Sequence, residues 1–153
     1  MLRERLAQAQ KDAMKAKDAE RVAGVRGILA QLKQRDIDSR VKPGYENGIS
    51  EDEILQMLQS MIKQRRESIA MFQQGGRTDL AEKEAGEIAI IEEFLPRQLG
   101  EEEVRVIAAK VIADVGAAGP KDMGKVMAAM KSAYAGQIDF AKASGIIKGL
   151  LGS

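Results

Sequence analysis

The chain of 153 residues has the size of one domain or two small ones, and its formal net charge at pH 7 is +1. It contains no cysteine and no histidine, which excludes disulfides, thiolate nucleophiles, imidazole bases and the common zinc sites. No apolar run approaches the roughly 20 residues that span a bilayer, and the charged residues 1–6 lack the apolar stretch of a signal peptide. We therefore expect a cytoplasmic protein with no membrane partner, no metal, no cofactor and no catalytic residues.

The first 40 residues carry apolar side chains at helical spacing. A first helix is predicted over residues 2–17 and a second over residues 18–40, because apolar residues recur every three or four positions in both. The inward residues are expected to be Leu2, Leu6, Ala9 and Ala13 in the first helix, and Val22, Val25, Ile28, Leu29 and Leu32 in the second. The turn-rich segment 42–48 (KPGYENG) then predicts a loop.

The third helix has a well-marked start. Ser50 is a favourable N-cap, Glu53 completes a capping box, and Ile49 is placed to pack on Ile54. This helix is predicted to run to residue 74, where Gly75 and Gly76 stop it. In the fourth helix we expect either residue 78 or residue 79 (Thr and Asp) to be the cap, and we expect the proline at position 96 to end it.

The segment 95–100 (LPRQLG) predicts a boundary between two helical parts. The first is an N-terminal subdomain over residues 1–97, and the second is a three-helix subdomain over residues 100–153. Its helices are predicted to begin at Glu101, at Pro120 and after the cap Asp139. Seven helical segments and no convincing strand indicate an all-α fold.

Residues 119–125 (GPKDMGK) resemble the first seven positions of a phosphate-binding P-loop. Val126 stands where that loop needs Ser or Thr, and a helix rather than a strand precedes it, so nucleotide hydrolysis is rejected. Two interpretations stay open. Lys121 and Lys125 share one helix face and, with Gly124 permitting close approach, can hold a backbone phosphate. Alternatively, Gly124 marks a tight helix–helix crossing and the lysines are only solvated. The methionines at 123, 127 and 130 are predicted to fill the core.

Four strings together resemble the stand-alone YqeY-type members of the GatB/YqeY family: residues 63–69 (KQRRESI), 76–84 (GRTDLAEKE), 91–99 (IEEFLPRQL) and 119–127 (GPKDMGKVM). The similarity covers essentially the whole chain. It implies an all-helical fold whose second part is similar to the tail of the B subunit of the aspartyl/glutamyl-tRNA amidotransferase, which contacts tRNA. YqeY-like domains also occur fused to some glutaminyl-tRNA synthetases. Residues 136–140 (GQIDF) depart from the family pattern, because a basic residue expected there is missing.

The leading expectation is a non-catalytic tRNA-binding module associated with tRNA-dependent amidation. The residues expected to contact tRNA are Lys121, Lys125, Lys131, Lys142 and Lys148, with Lys63, Arg65 and Arg66 assisting. One alternative is a protein adaptor for an amidotransferase or an aminoacyl-tRNA synthetase. Another is a carbon–nitrogen ligase with glutamine as amide donor, which the chain's scattered serines and missing cysteine disfavour. The bland alternative is that these basic residues are merely solvated helix faces.

Overall fold

The computed structural model describes residues 1–152, which form seven α-helices and no β-strand. The helices are α1 (Leu2–Lys15), α2 (Ala19–Ser39), α3 (Glu51–Gln74), α4 (Thr78–Glu92), α5 (Glu101–Val115), α6 (Met123–Tyr134) and α7 (Phe140–Leu150), with a 3₁₀ turn at Pro120–Asp122. The all-α prediction is confirmed. Over residues 1–152, none of these helices combines the length and the apolar composition needed to cross a bilayer.

The chain divides into two compact units, Met1–Pro96 and Arg97–Ser153. In the N-terminal unit, α1 packs on α2, α3 packs on α4, and α2 also contacts α4. Their shared core consists of aliphatic and methionine side chains that are almost fully hidden from solvent: Leu6, Val25, Ile28, Ile54, Met57, Leu58 and Ile91. Burial of this apolar surface stabilises helices that individual residue propensities alone hold only weakly.

The start of α3 forms as the sequence predicts. The Ser50 hydroxyl accepts the Glu53 N–H at 3.2 Å, and the Glu53 carboxylate accepts the Ser50 N–H at 3.2 Å. At the other end Gly76 has φ +72°, and the N–H of Arg77 reaches back to the carbonyl of Phe72 at 2.8 Å. A residue in the left-handed region is what this helix-ending motif requires, so the glycine stop is confirmed.

Both ends of α4 differ from the prediction. Thr78 is the first helical residue rather than the cap, and the carboxylate of Asp79 is bound by the guanidinium of Arg77 at 3.2 Å. The helix ends at Glu92, before Pro96 is reached, because the next three N–H groups bond three residues back. This tightened turn buries Phe94, which is 5% exposed, so core packing ends the helix earlier than the proline would.

The C-terminal unit packs α5, α6 and α7 around a second apolar core. Its fully hidden side chains include Ala108, Val126, Met130 and Ile147. Partly buried Met123 and Met127 also pack on this core, which confirms the core-filling interpretation of the methionines.

Local caps hold the ends of this unit's helices. Glu103 accepts the N–H of Gly100 at 3.4 Å before α5, and Asp139 accepts the N–H of Ala141 at 3.0 Å at the start of α7. The segment that leads into α5 is joined to the turn between α6 and α7. The N–H of Leu99 donates to the carbonyl of Gln137 at 2.8 Å. The cap predicted at Asp139 is confirmed.

Candidate nucleic-acid interface

The five predicted lysines of the C-terminal unit are all exposed. Lys121 lies in the 3₁₀ turn before α6, Lys125 and Lys131 lie on α6, and Lys142 and Lys148 lie on α7. Neither α6 nor α7 contains an Asp or a Glu, so every charged side chain on these two helices is positive. Helices that carry cations without interspersed acids can face a polyanion without an opposing charge on their own surface.

The turn before α6 has a defined internal structure. The carboxylate of Asp122 accepts the N–H of Ala118 at 2.8 Å, and the Asp122 N–H donates to the carbonyl of Gly119 at 3.0 Å. The first of these bonds lowers the pKa of Asp122, and the charges of Lys121 and Lys125 lower it further. The carboxylate is therefore ionised at neutral pH beside the two lysines, and it offsets part of their attraction for a phosphate.

The position of Gly124 tests the helix crossing that one of the two interpretations of its segment expects. Gly124 is exposed, and a Cβ placed on it would meet no atom of residues 1–152 within 4 Å outside its immediate helix neighbours. The tight helix–helix crossing expected as one alternative is therefore wrong within the C-terminal unit. The surface at Gly124 is open, and the phosphate interpretation stays a prediction.

Two rows of small residues accompany the lysines and are not among the residues predicted from the sequence. Gly124, Ala128 and Ser132 are exposed at four-residue steps on α6, and Ala141, Gly145 and Gly149 are exposed at the same steps on α7. Residues four apart lie on one helix face, so along each row no long side chain covers the helix backbone beside the lysines. The four-residue period of small residues is visible in the sequence, but exposure had to come from the fold.

The surroundings of the lysines differ from one to the next. Among residues 1–152, no carboxylate oxygen lies within 4 Å of Lys121, Lys125 or Lys142. The ammonium of Lys131 lies 5.9 Å from the centroid of the Phe140 ring, which is within cation–π range. Phe140 also packs on the core of the C-terminal unit, so it supports the position of that lysine.

The three basic residues expected to assist lie on α3 in the N-terminal unit. The guanidinium of Arg65 contacts the carboxylates of both Glu84, at 3.0 Å, and Glu87 on α4. Arg66 lies 3.6 Å from Glu92, and Lys63 is exposed. Arg65 thus links α3 to α4, and the two carboxylates compensate most of its positive charge. Lys63 and Arg66 are the members of this group that face solvent.

Carboxylates do not assemble into a metal-binding group in the part of the chain that the structure describes. Residues 3–151 match the family model described as Yqey-like protein. The chain belongs to the YqeY-like protein family. The expectation drawn from the four strings of residues is therefore confirmed at the level of the family.

Fungal proteins named "Altered inheritance of mitochondria protein 41, mitochondrial" are similar to this YqeY-like protein. That of Kluyveromyces lactis is 40% identical over 89 residues, which cover 58% of this chain and 45% of the relative. Those of Eremothecium gossypii and Saccharomyces cerevisiae are 37% and 33% identical over 90 and 85 residues, covering 59% and 56% of this chain and 46% and 43% of the relatives. The chain spans less than half the length of these curated relatives.

Proposed function

We propose that this YqeY-like protein is a non-catalytic tRNA-binding module that works alongside tRNA-dependent amidation. The observation that carries the proposal is the charge of α6 and α7, whose exposed Lys125, Lys131, Lys142 and Lys148 stand on helices free of acidic residues. Phosphate contacts supply most of the affinity of proteins that hold nucleic acid without reading bases. The resemblance of this unit to the tail of an amidotransferase B subunit points to tRNA as the nucleic acid.

The small residues beside the lysines support the same proposal. With only hydrogen or a short side chain at Gly124 and Ala128, a sugar-phosphate backbone can approach the helix closely while Lys121 and Lys125 reach its phosphates from the same side. The net charge of +1 limits the attraction at long range, which is consistent with an accessory module rather than a tight independent binder.

A charge-reversal experiment tests the proposal on the full chain. Lys121→Glu with Lys125→Glu is compared with Lys11→Glu with Lys15→Glu, an exposed pair of the same spacing on α1. Total tRNA is titrated at several salt concentrations. Loss of two phosphate contacts should flatten the slope of log affinity against log salt by about 1.8 for duplex or about 1.4 for single strands. Reversing the α1 pair should change neither the affinity nor the salt slope. An unchanged slope in the Lys121/Lys125 variant refutes the assignment.

A protein adaptor for an amidotransferase or an aminoacyl-tRNA synthetase is the second candidate. Exposed apolar side chains on the N-terminal unit favour it, since Met14 is 52% and Ile37 42% exposed. Association with such an enzyme that survives nuclease treatment, together with no affinity for naked tRNA, would replace the first proposal with this one.

The non-catalytic part of the proposal rests on composition. A carbon–nitrogen ligase using glutamine needs a nucleophile that cleaves the amide, and the chain has no cysteine or histidine to supply or activate one in the usual way. Release of ammonia from glutamine by the purified chain would contradict it.

The proposal also places the protein in the cytoplasm. The mitochondrial label of the fungal relatives makes the mitochondrion the competing location, and cell fractionation distinguishes the two.

A further inference from the structure

The outward face of α2 carries a regular pattern that the tRNA proposal does not use. The residues on this face are all exposed and follow one another at steps of four and three: Ala19, Ala23, Arg26, Ala30, Lys33, Ile37 and Arg40. Alternating steps of three and four are the spacing of the contact positions of a two-helix coiled coil. We call these seven residues the α2 seam.

Two parallel rows make up most of the α2 seam. Ala23, Ala30 and Ile37 form an apolar row, and a cationic row of Arg26, Lys33 and Arg40 runs beside it. Members of each row are seven residues apart, which is about 10.5 Å along a helix. The seam contains no acidic residue.

The positive charges of the seam are largely uncompensated by carboxylates of the same chain. Within residues 1–152, neither Arg26 nor Lys33 has a carboxylate oxygen within 4 Å. Arg40 contributes to the electrostatic field at Asp36, but Asp36 is already bound by the guanidinium of Arg3 at 2.8 Å. The row therefore presents positive charge to the solvent along the length of α2.

A groove continues the seam at its N-terminal end. This shallow space of about 410 Å³ lies between the end of α1 and the start of α2 and is lined by Met14, Lys17, Ala19, Val22, Ala23 and Arg26. Three of these residues belong to the α2 seam. The lining is mainly apolar and includes the cations Lys17 and Arg26, so the groove can accept a large apolar side chain that has an acidic neighbour.

We propose that the α2 seam and its groove bind an acidic amphipathic helix of a partner protein. Acidic side chains spaced seven residues apart on that helix would meet Arg26, Lys33 and Arg40, and its apolar side chains would cover the apolar row and fill the groove. The surface lies in the N-terminal unit and uses none of the lysines assigned to tRNA, so the inference does not rest on the proposed function.

The pattern favours a helix over a nucleic acid. A partner helix repeats its contacts every seven residues, about 10.5 Å, which is the spacing of the three cations. The groove and the exposed side chain of Ile37 match the nonpolar face of an amphipathic helix, whereas a phosphate backbone has no apolar group to place in them.

The test uses a fluorescent 21-residue probe peptide with leucine and glutamate alternating at steps of three and four. Binding to the full chain is followed by fluorescence anisotropy, and saturable binding below about 1 mM is expected. Arg26→Glu with Lys33→Glu and Arg40→Glu should weaken binding by about tenfold or more, because three attractions become repulsions. The matched control reverses three exposed cations outside the seam, Arg35, Lys83 and Lys110. It should leave the affinity within about twofold.

Further probes separate a specific seam from general charge attraction. A peptide with lysine in place of glutamate should bind the Arg26/Lys33/Arg40 variant more tightly than it binds the unaltered chain. Ile37→Ser leaves the charge of the seam unchanged and should weaken binding of the acidic peptide. A scrambled peptide of the same composition should bind at least about tenfold more weakly, because it lacks the apolar face. Circular dichroism checks that each variant keeps its helices.

Four outcomes would overturn the inference. The first three are the absence of saturable binding, equal affinity for the scrambled peptide, and unchanged peptide affinity in the Arg26/Lys33/Arg40 variant. The fourth is a dimer of the unaltered chain in sedimentation that becomes a monomer in this variant, because a second copy would then be the occupant of the seam. Total tRNA is titrated on the same variant, and its affinity should stay unchanged. If the variant loses tRNA affinity and keeps peptide affinity, the seam is an RNA surface instead. The tRNA proposal is judged separately on Lys121 and Lys125.

Discussion

Two glycines of α2 make a matched pair for measuring how tightly α2 packs on α4. At Gly27, a Cβ would meet no atom of the described chain within 4 Å, apart from its own helix neighbours. At Gly24, which is buried, a Cβ would lie 2.8 Å from Cδ1 and 3.4 Å from Cγ2 of Ile90. Gly27→Ala should therefore stabilise the protein by about 0.8–1.0 kcal/mol, the difference in helix propensity between the two residues.

Gly24→Ala gains the same propensity but must displace Ile90. Overpacking a core costs roughly 1–3 kcal/mol, and the lower end applies because the nearest atom is the tip of a side chain. The free energy of unfolding of Gly24→Ala should therefore equal that of the unaltered protein to within about 0.5 kcal/mol. Ile90→Val removes Cδ1, so in that background Gly24→Ala should recover most of the gain seen for Gly27→Ala.

Urea unfolding followed by far-UV circular dichroism measures these free energies, and the chain has no tryptophan to report fluorescence. Hydrogen exchange of the α2 amides assigns the transition to the N-terminal unit. The coupling between positions 24 and 90 in the double-mutant cycle should be about 1 kcal/mol. If Gly24→Ala and Gly27→Ala stabilise equally, or if the cycle shows no coupling, the close approach of α2 to Ile90 is not the reason for a glycine at position 24.

Three further predictions concern single side chains. Lys17 has φ +55° in the helix-ending turn after α1, so Lys17→Gly should raise the free energy of unfolding by about 1 kcal/mol, and unchanged thermal unfolding would contradict this. A hydrogen bond from Arg3 and another from the Ile49 N–H hold the pKa of Asp36 below its ordinary 3.8, so the stabilisation is complete above that pH and lost as the pH falls through the lowered pKa. Asp36→Asn should cost about 1 kcal/mol at neutral pH and make unfolding less sensitive to acid, and an equally steep acid dependence would refute it. Met130→Ala should destabilise the C-terminal unit by about 2–5 kcal/mol, since Met130 is 0% exposed in the core that α5, α6 and α7 share, and faster hydrogen exchange in these three helices but not in α1–α4 should report it.

Features set by neighbouring residues could be read from the sequence. Ser50, Glu53 and Asp139 cap helices through bonds that span only two or three residues, so their partners are known as soon as the spacing is known. Gly76 ends α3 for the same reason, because the left-handed conformation is a local requirement. The order and type of all seven helices follow from such signals together with the apolar spacing.

Features set by the fold could not be read in this way. The sequence predicts Asp79 as a possible cap, but its carboxylate is bound by the guanidinium of Arg77. Helix α4 ends before Pro96 because Phe94 packs in the core. Arg65 stands among similar basic residues, and only the packing of α3 on α4 brings Glu84 and Glu87 to it from positions about twenty residues later. The predicted tRNA contacts depend on an external partner, so neither the sequence nor the fold tests them.

The hydrogen bond between Leu99 and Gln137 determines where the polypeptide can be cut. A truncated version that started at Gly100 would leave the Gln137 carbonyl without its donor and would also lose Gln98, whose amide binds the Gly136 carbonyl. A version beginning at Arg97 keeps both links and the contact of Arg97 with Glu103 at 2.7 Å. Separate production of the lysine-bearing half should therefore start three residues upstream of its first helical cap.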